Sequence, residues 1–254
     1  MYRGVYTAAM GMLADITRMD VVANNLANVE TNGYKADTPA FKCYFTREIY
    51  RIKPEPENRK VEFAKIGDVE QAIIVDEIRT HYSQGILEQT NVPTHLAISG
   101  DGFFAVRKGD QVFYTRNGEF IADKDRRLVN TQGYYLLDSN GQEVTLPENG
   151  YIDESGNVYD ANRNLVSSIP IYVLREPRKI GEALFTGQAQ IVDLNNPNSG
   201  VRILQGYVEK SNVNVVREMV KMIEAQRHYD ASSKAIVVHD ELLNKVINNV
   251  GALR

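Results

Sequence analysis

The sequence predicts an α+β protein: long N- and C-terminal helices pack together as a coiled-coil-like helical domain, with a central all-β domain and an extended arm. Three observations carry that prediction. Apolar residues recur at helical spacing near both ends, and short β-rich runs separated by turn residues fill the middle. No helix-length pattern interrupts those runs, which argues against a parallel βαβ sheet. The expected organisation is a terminal helical assembly domain from residues 1–30 plus 206–254, a linker or arm over 31–68, and the all-β domain over 69–205.

The first element follows from Val5, Ala9, Met12, Ile16, Met19, Ala23 and Leu26, spaced 4-3-4-3-4-3. That is a heptad seam, roughly 35–40 Å long at ~1.5 Å per residue. It ends in "ANNLANVETNGYK", where Asn24, Asn25 and Asn28 sit among small apolar residues and Gly33 follows an asparagine. Asn and Gly tolerate positive φ, so "TNGY" reads as a turn. The three asparagines either hydrogen-bond a partner helix and fix its register, or cap the helix end.

"YRIKPEPENRK", with two prolines and many charges, reads as an extended linker or arm. Beyond it, "HLAIS", "GFFAVRK", "QVFYTR", "EFIAD", "RLVNT", "GYYLLD", "QEVTLP" and "IPIYVLRE" read as strands. "RNGE", "DKDR", "DSNGQ", "PENG", "DESGN" and "DANRN" separate them, at a spacing that suits a sandwich or barrel.

The last element starts at a cap, Ser211 or Asn212, and runs without Pro or Gly from Val213 to about Val250. One stripe takes in Val216, Val220, Ile223, Ala231, Ala235, Val238, Leu242 and Val246. A second takes in Met219, Met222, Tyr229, Ile236, Leu243, Ile247 and Val250. Ordering a residue costs about 1–2 kcal/mol of backbone entropy, and a solitary helix buries too little to offset it. Pairing the two ends covers one stripe of each. The stripe left over on the C-terminal helix calls for neighbouring copies of the same chain.

Composition excludes several classes. Of 254 residues, 24% are charged with a net charge of -4, and no basic run stands out, which argues against nucleic acid as a partner. The single cysteine, Cys43, rules out an internal disulfide and a cysteine metal cluster. No apolar stretch reaches membrane-spanning length, so no membrane insertion is expected, and the N-terminal run, broken by Asp15, Arg18 and Asp20, is no signal peptide.

Catalytic chemistry, cofactors and metals are not expected. "SGDGFFA" has the glycine spacing of a dinucleotide site, but "FFAVRKGDQVFY" continues as strand, so no helix N-terminus is available for a pyrophosphate. His81, His95, His228 and His239 are scattered. Glu224 and His228 share a helix face, which a surface i,i+4 contact explains. "DESGNVYDANRN" lacks the order of a calcium loop and reads as paired turns.

Four stretches, in order along the chain, resemble the bacterial flagellar basal-body rod proteins, relatives of the hook protein. They are "YTAAMGM" leading into "ANNLANVETNGYK"; "QGILEQTN" followed by "LAISGDGFFAV"; "YTRNGEF"; and "GYVEKSNVNVVREMVKMIEAQRHYD". The resemblance implies a structural subunit whose terminal helices pack at the inner wall of a tube, with the β-domain outward. It implies export through the flagellum's own type III apparatus without a cleaved signal, termini that are disordered before assembly, and polymerisation with copies of itself and other rod and hook axial proteins. "MYRGVYTAAMGM" is more similar to proximal-rod sequences, with the distal rod as the alternative. The expected assembly surface is the seam Val5 to Leu26 with Asn24, Asn25, Asn28 and Gly33, together with Val216, Met219, Val220, Ile223, Val238, Leu242 and Val246. The rival readings are a β-domain enzyme or carbohydrate-binding module dimerised by its helices, and a closed-trimer fibre protein.

Overall fold

The structure, a computed structural model, describes residues 2–54, 61–194 and 200–251. Helix α1 (Tyr2–Ala27) precedes two long strands, β1 (Asp37–Pro54) and β2 (Val61–Thr80). There follow β3 (Leu87–Gln89), β4 (Leu96–Ser99), β5 (Phe103–Lys108), β6 (Gln111–Thr115), β7 (Phe120–Ala122), β8 (Leu128–Asn130) and β9 (Tyr135–Leu136). The chain continues through β10 (Tyr151–Ile152), β11 (Asn157–Tyr159), β12 (Leu165–Ser168), β13 (Ile171–Lys179), β14 (Leu184–Val192), β15 (Arg202–Gln205) and β16 (Tyr207–Glu209), and ends in α2 (Val215–Gly251). The arrangement is α+β, as the sequence pattern predicts. The chain divides into a helical unit (Met1–Asn24, Asp37–Arg79, Val216–Arg254) and a β unit (Asn25–Ala36, Thr80–Val215).

In the helical unit, β1 and β2 pair as a two-stranded sheet. Six residues separate them, too few for a parallel crossover, so they form a hairpin. Cross-strand pairs Lys42–Asp76 and Glu48–Lys65 run in opposite chain directions, as a hairpin requires. The stretch read as an extended linker or arm over 31–68 carries β1 and the start of β2; residues 55–60 of "YRIKPEPENRK" lie outside the described residues. Backbone pairing does not depend on the charges that made this segment look unstructured.

Helices α1 and α2 pass one another antiparallel. The His239 imidazole lies over Gly4, and Ser232 faces Gly11. Arg18 and Val22 line one cavity with Glu218, Lys221, Glu224 and His228. The covered line on α2 is Glu218, Met222, Ala225, Tyr229, Ser232, Ile236, His239 and Leu243, each buried or half-buried at 4-3 spacing. On α1 it is Ala8, Gly11, Asp15, Arg18 and Val22 at the same spacing.

In the β unit, seven strands run in the order β13-β14-β6-β5-β9-β8-β7, and β13 also pairs with β5. Strands β5, β6, β14 and β13 thereby close into a small ring. Alternation sorts its side chains. Phe104 joins Leu96, Phe120, Leu128 and Ile171 in the main core, while Phe103 packs with Leu174 and Phe185 in a second cluster. "QEVTLP" forms only isolated bridges at Glu143 and Thr145, and β10–β11–β12 make a separate small sheet.

One turn design recurs. The Asp138 Oδ1 accepts hydrogen bonds from the amides of Asn140 and Gln142, each at 2.8 Å. Asp153 does the same for Ser155 and Asn157, and Asp160 for Asn162 and Asn164. The fourth residue of each turn, Gly141, Gly156 or Arg163, has positive φ. These carboxylates hold their own backbone. Backbone donation from Asn164 holds the Asp160 carboxyl below its ordinary value of 3.8. Likewise Gly100 and Gly102 lead directly into strand β5, so "SGDGFFA" is a turn.

Candidate assembly surfaces and a buried ion cluster

The apolar stripe that begins at Val216 is uncovered. Val216 is 72% exposed, Leu242 51%, and Met219, Val220, Ile223, Val238 and Val246 are exposed as well. On α1, Ile16 is 39% exposed and Ala23 and Asn24 are exposed, while Val5, Ala9, Met12, Met19 and Leu26 are half-buried. The expected α1 seam thus lies one residue, about 100° of helix turn, from the line that faces α2. Small and polar residues of α1, with Val22, meet Met222, Tyr229, Ile236 and Leu243 on the covered line of α2. The Val216 stripe of α2 lies beside that contact.

Asn25, Asn28 and Gly33 are buried in the β unit. Tyr34 donates its hydroxyl hydrogen to Asn25 Oδ1 at 3.1 Å, and Thr31 donates to Asn28 Oδ1 at 3.1 Å. Both asparagines therefore hold the turn that ends α1. Gly33 (φ 72°) donates its amide to the Glu209 carbonyl at 2.7 Å. A Cβ there would sit 2.3 Å from the Asn117 amide nitrogen, so the position tolerates no side chain.

Beneath this turn lies an ion cluster that the sequence reading missed. Lys35 Nζ meets Glu209 Oε1 at 2.7 Å, and Arg116 Nη1 meets Glu209 Oε2 at 3.1 Å. All three side chains are almost wholly buried. The amide of Gly85 donates to Glu209 Oε1, Lys35 also donates to the Ser83 carbonyl, and Arg116 to the Gly100 carbonyl. Arg116 stacks over Phe103 as well. A buried charge left unpaired is strongly destabilising, so these partners hold each other in place. Burial pulls the Lys35 ammonium below its ordinary 10.5, Glu209 opposes that shift, and Arg116 adds to it.

Asn212, one of the two residues expected to cap the last helix, is used elsewhere. Its Oδ1 accepts from the Ala36 amide at 2.8 Å, and its Nδ2 donates to the carbonyls of His81 (2.8 Å) and Ser83 (3.1 Å). Ser211 Oγ accepts from the Val213 amide, in the turn that precedes α2 at Val215. The cluster draws on "NGYK", "YTRNGEF" and "GYVEKSN", three stretches far apart in the chain, and nothing within any one of them marks its charge as buried.

A cavity of about 310 Å³ in the helical unit is lined by Arg18, Val22, Asp37, Phe41, Lys221 and Glu224, among others. Among the described residues no group of three or more His, Cys, Asp or Glu side chains is placed to hold a metal ion. Nor is any helix among them long and apolar enough to cross a membrane.

Sequence comparison bears directly on these surfaces. The profile described as "Flagella basal body rod protein" matches residues 5–35, and "Flagellar hook protein FlgE/F/G D1 domain" matches residues 97–160. "Flagellar basal body rod FlgEFG protein C-terminal" matches residues 204–249. Thus one matched segment carries α1 and the Asn25–Lys35 turn, another carries Arg116, and the third carries Glu209, Asn212 and α2. The chain is 32% identical to the flagellar basal-body rod protein FlgG of Borreliella burgdorferi, over 98% of this chain and 99% of that one. It is 32% identical to the FlgG of Buchnera aphidicola subsp. Baizongia pistaciae, over 97% and 99%. The hook protein FlgE of B. burgdorferi matches at 35% over 57% of this chain and 34% of its own length. With most of both terminal helices, the turn and part of the β unit inside matched segments, and 32% identity to a FlgG over nearly the whole of both chains, the chain belongs to the flagellar basal-body rod protein family.

Proposed function

We propose that this rod subunit polymerises through the uncovered apolar stripes of its two terminal helices, which pack in the assembled rod as a coiled-coil-like layer. The protein itself is a non-enzymatic structural component of the flagellar basal body and assembles with other flagellar axial proteins. The carrying observation is the exposure of Val216, Val220, Ile223, Val238, Leu242 and Val246 along one face of α2. Apolar side chains gathered in this number on one exposed helix face form an interaction surface rather than scattered surface hydrophobicity. Contacts between different faces of successive copies do not close, and so propagate a helical filament. Many such contacts in parallel suit a shaft that transmits torque from motor to hook.

The family resemblance supports export through the flagellum's own type III apparatus, with the termini ordering as subunits add at the tip. The opening "MYRGVYTAAMGM" supports the proximal rod; electron cryo-microscopy of basal bodies assigns the layer, and a match in the distal rod favours the alternative. The assembly surface is tested by Ile16→Asp combined with Leu242→Asp. The β unit is expected to fold, while incorporation into basal bodies and motility are lost. Normal motility in that strain refutes the reading.

A further inference from the structure

We propose that Asn212, seated on the buried Lys35–Glu209–Arg116 cluster, is a load-bearing joint that makes the chain segments leaving the β unit act as one rigid bundle; this rests on the reading of the protein as a torque-transmitting rod subunit. The chain passes between the two units four times, beside residues 24/25, 36/37, 79/80 and 215/216. Within the β unit, one carboxamide ties three of those passages together. Asn212 stands just before the last, accepts from Ala36 beside the second, and donates to His81 beside the third. The His81 amide closes the triangle by donating to the Ala36 carbonyl at 2.8 Å. The first passage is held through Tyr34, which donates to Asn25 while its neighbours Gly33 and Lys35 bond Glu209.

Both ends of the Asn212 amide are engaged, so its orientation is fixed by the groups around it. Ser83 shows how the amide and the ions share load. Its carbonyl accepts from Asn212 Nδ2 and from Lys35 Nζ at once. The Lys179 ammonium sits over the Tyr34 ring and donates to the Lys35 carbonyl, bracing the same segment from β13. Short charge-assisted bonds of this kind are stiffer and stronger than neutral ones. Residues 35 and 209 are far apart in the chain, so the cluster forms only when the β unit closes around it. A static tube has no need of so stiff an attachment, whereas a rotating one must not let each passage twist separately.

The test uses the full chain and the intact basal body. In purified Asn212→Ala, amide exchange at Ala36 and His81 is expected to accelerate at least about tenfold, the loss of a hydrogen-bond set. The core amides of Leu128 and Val144, which bond within the β unit, keep their protection. Glu209→Gln, which keeps the shape and removes the charge, is expected to accelerate the same two amides. In cells, Asn212→Ala is expected to build rods in normal number and swim normally in dilute medium, but to lose about half or more of its speed in viscous medium. Unchanged exchange at Ala36 and His81, or wild-type speed at every viscosity, overturns the proposal; so does absence of rods while the purified chain keeps its core protection. Failure of the assembly reading itself appears separately, as motility of the Ile16→Asp, Leu242→Asp strain, and leaves the exchange result untouched.

Discussion

The β unit and the terminal helices use similar apolar side chains to opposite ends. In the β unit, Leu96, Phe104, Phe120, Leu128, Ile171 and Phe185 are wholly removed from solvent. On α2, Val216, Ile223, Val238 and Leu242 are each at least half exposed. Apolar area taken from water contributes about 25 cal/mol per Å² wherever the partner comes from. The first group has its partner within one copy and specifies a fold. The second is left largely uncovered in the single copy, and on the proposed reading it specifies an assembly.

The sharpest way to break this contrast is a pair of matched truncations. Phe104→Ala is expected to destabilise the isolated chain by about 3–5 kcal/mol in denaturant unfolding, as a buried aromatic removed from a packed core does. Leu242→Ala is expected to change it by less than about 0.5 kcal/mol, as an exposed substitution does, while weakening incorporation into rods. Equal costs at the two sites contradict the contrast. A second, smaller effect sits at the turn that ends α1. Gly33→Ala places a Cβ against the Asn117 backbone at positive φ and is expected to cost about 2 kcal/mol or more, read in the same assay. The smallest effect concerns the repeated turns. The Asp160 carboxyl titrates lower in the folded chain than in the unfolded one, so it contributes stability above its ordinary value of 3.8 that is lost as pH falls through the folded value. Asp160→Asn keeps the acceptor and removes the titration. Wild type should therefore lose stability relative to that variant on acidification below 3.8, and parallel acid profiles would show that the turn does not depend on the charge.

The sequence made the helices legible because heptad spacing survives any tertiary context. It did not show which stripe faces inward. Gly4, Ala8 and Gly11 pack closely because they are small, and small residues give a weak apolar signal beside Val5, Ala9 and Met12. Most strands from 95 to 136 followed from alternation and turn chemistry. Strand β14, "LFTGQAQIV", was passed over because a glycine and two glutamines dilute its pattern. Strand β1 and the start of β2 were read as linker or arm for a related reason. Their charges lie on a ribbon whose cohesion is in backbone pairing, and no period betrays that. The ion cluster was out of reach because a lone Lys35 or Glu209 is indistinguishable from a solvated charge until its partner, distant in the chain, is known.

The central claim is that the helical stripes find their apolar partners only in neighbouring copies. Hydrogen exchange on the dilute chain and on assembled rods tests it most directly. Amides in residues 2–24 and 216–251 should exchange quickly in the dilute chain and become strongly protected in rods, with those of the β core protected in both. Protection of the two helices in the dilute chain equal to that of the Leu128 and Val144 amides would contradict the account.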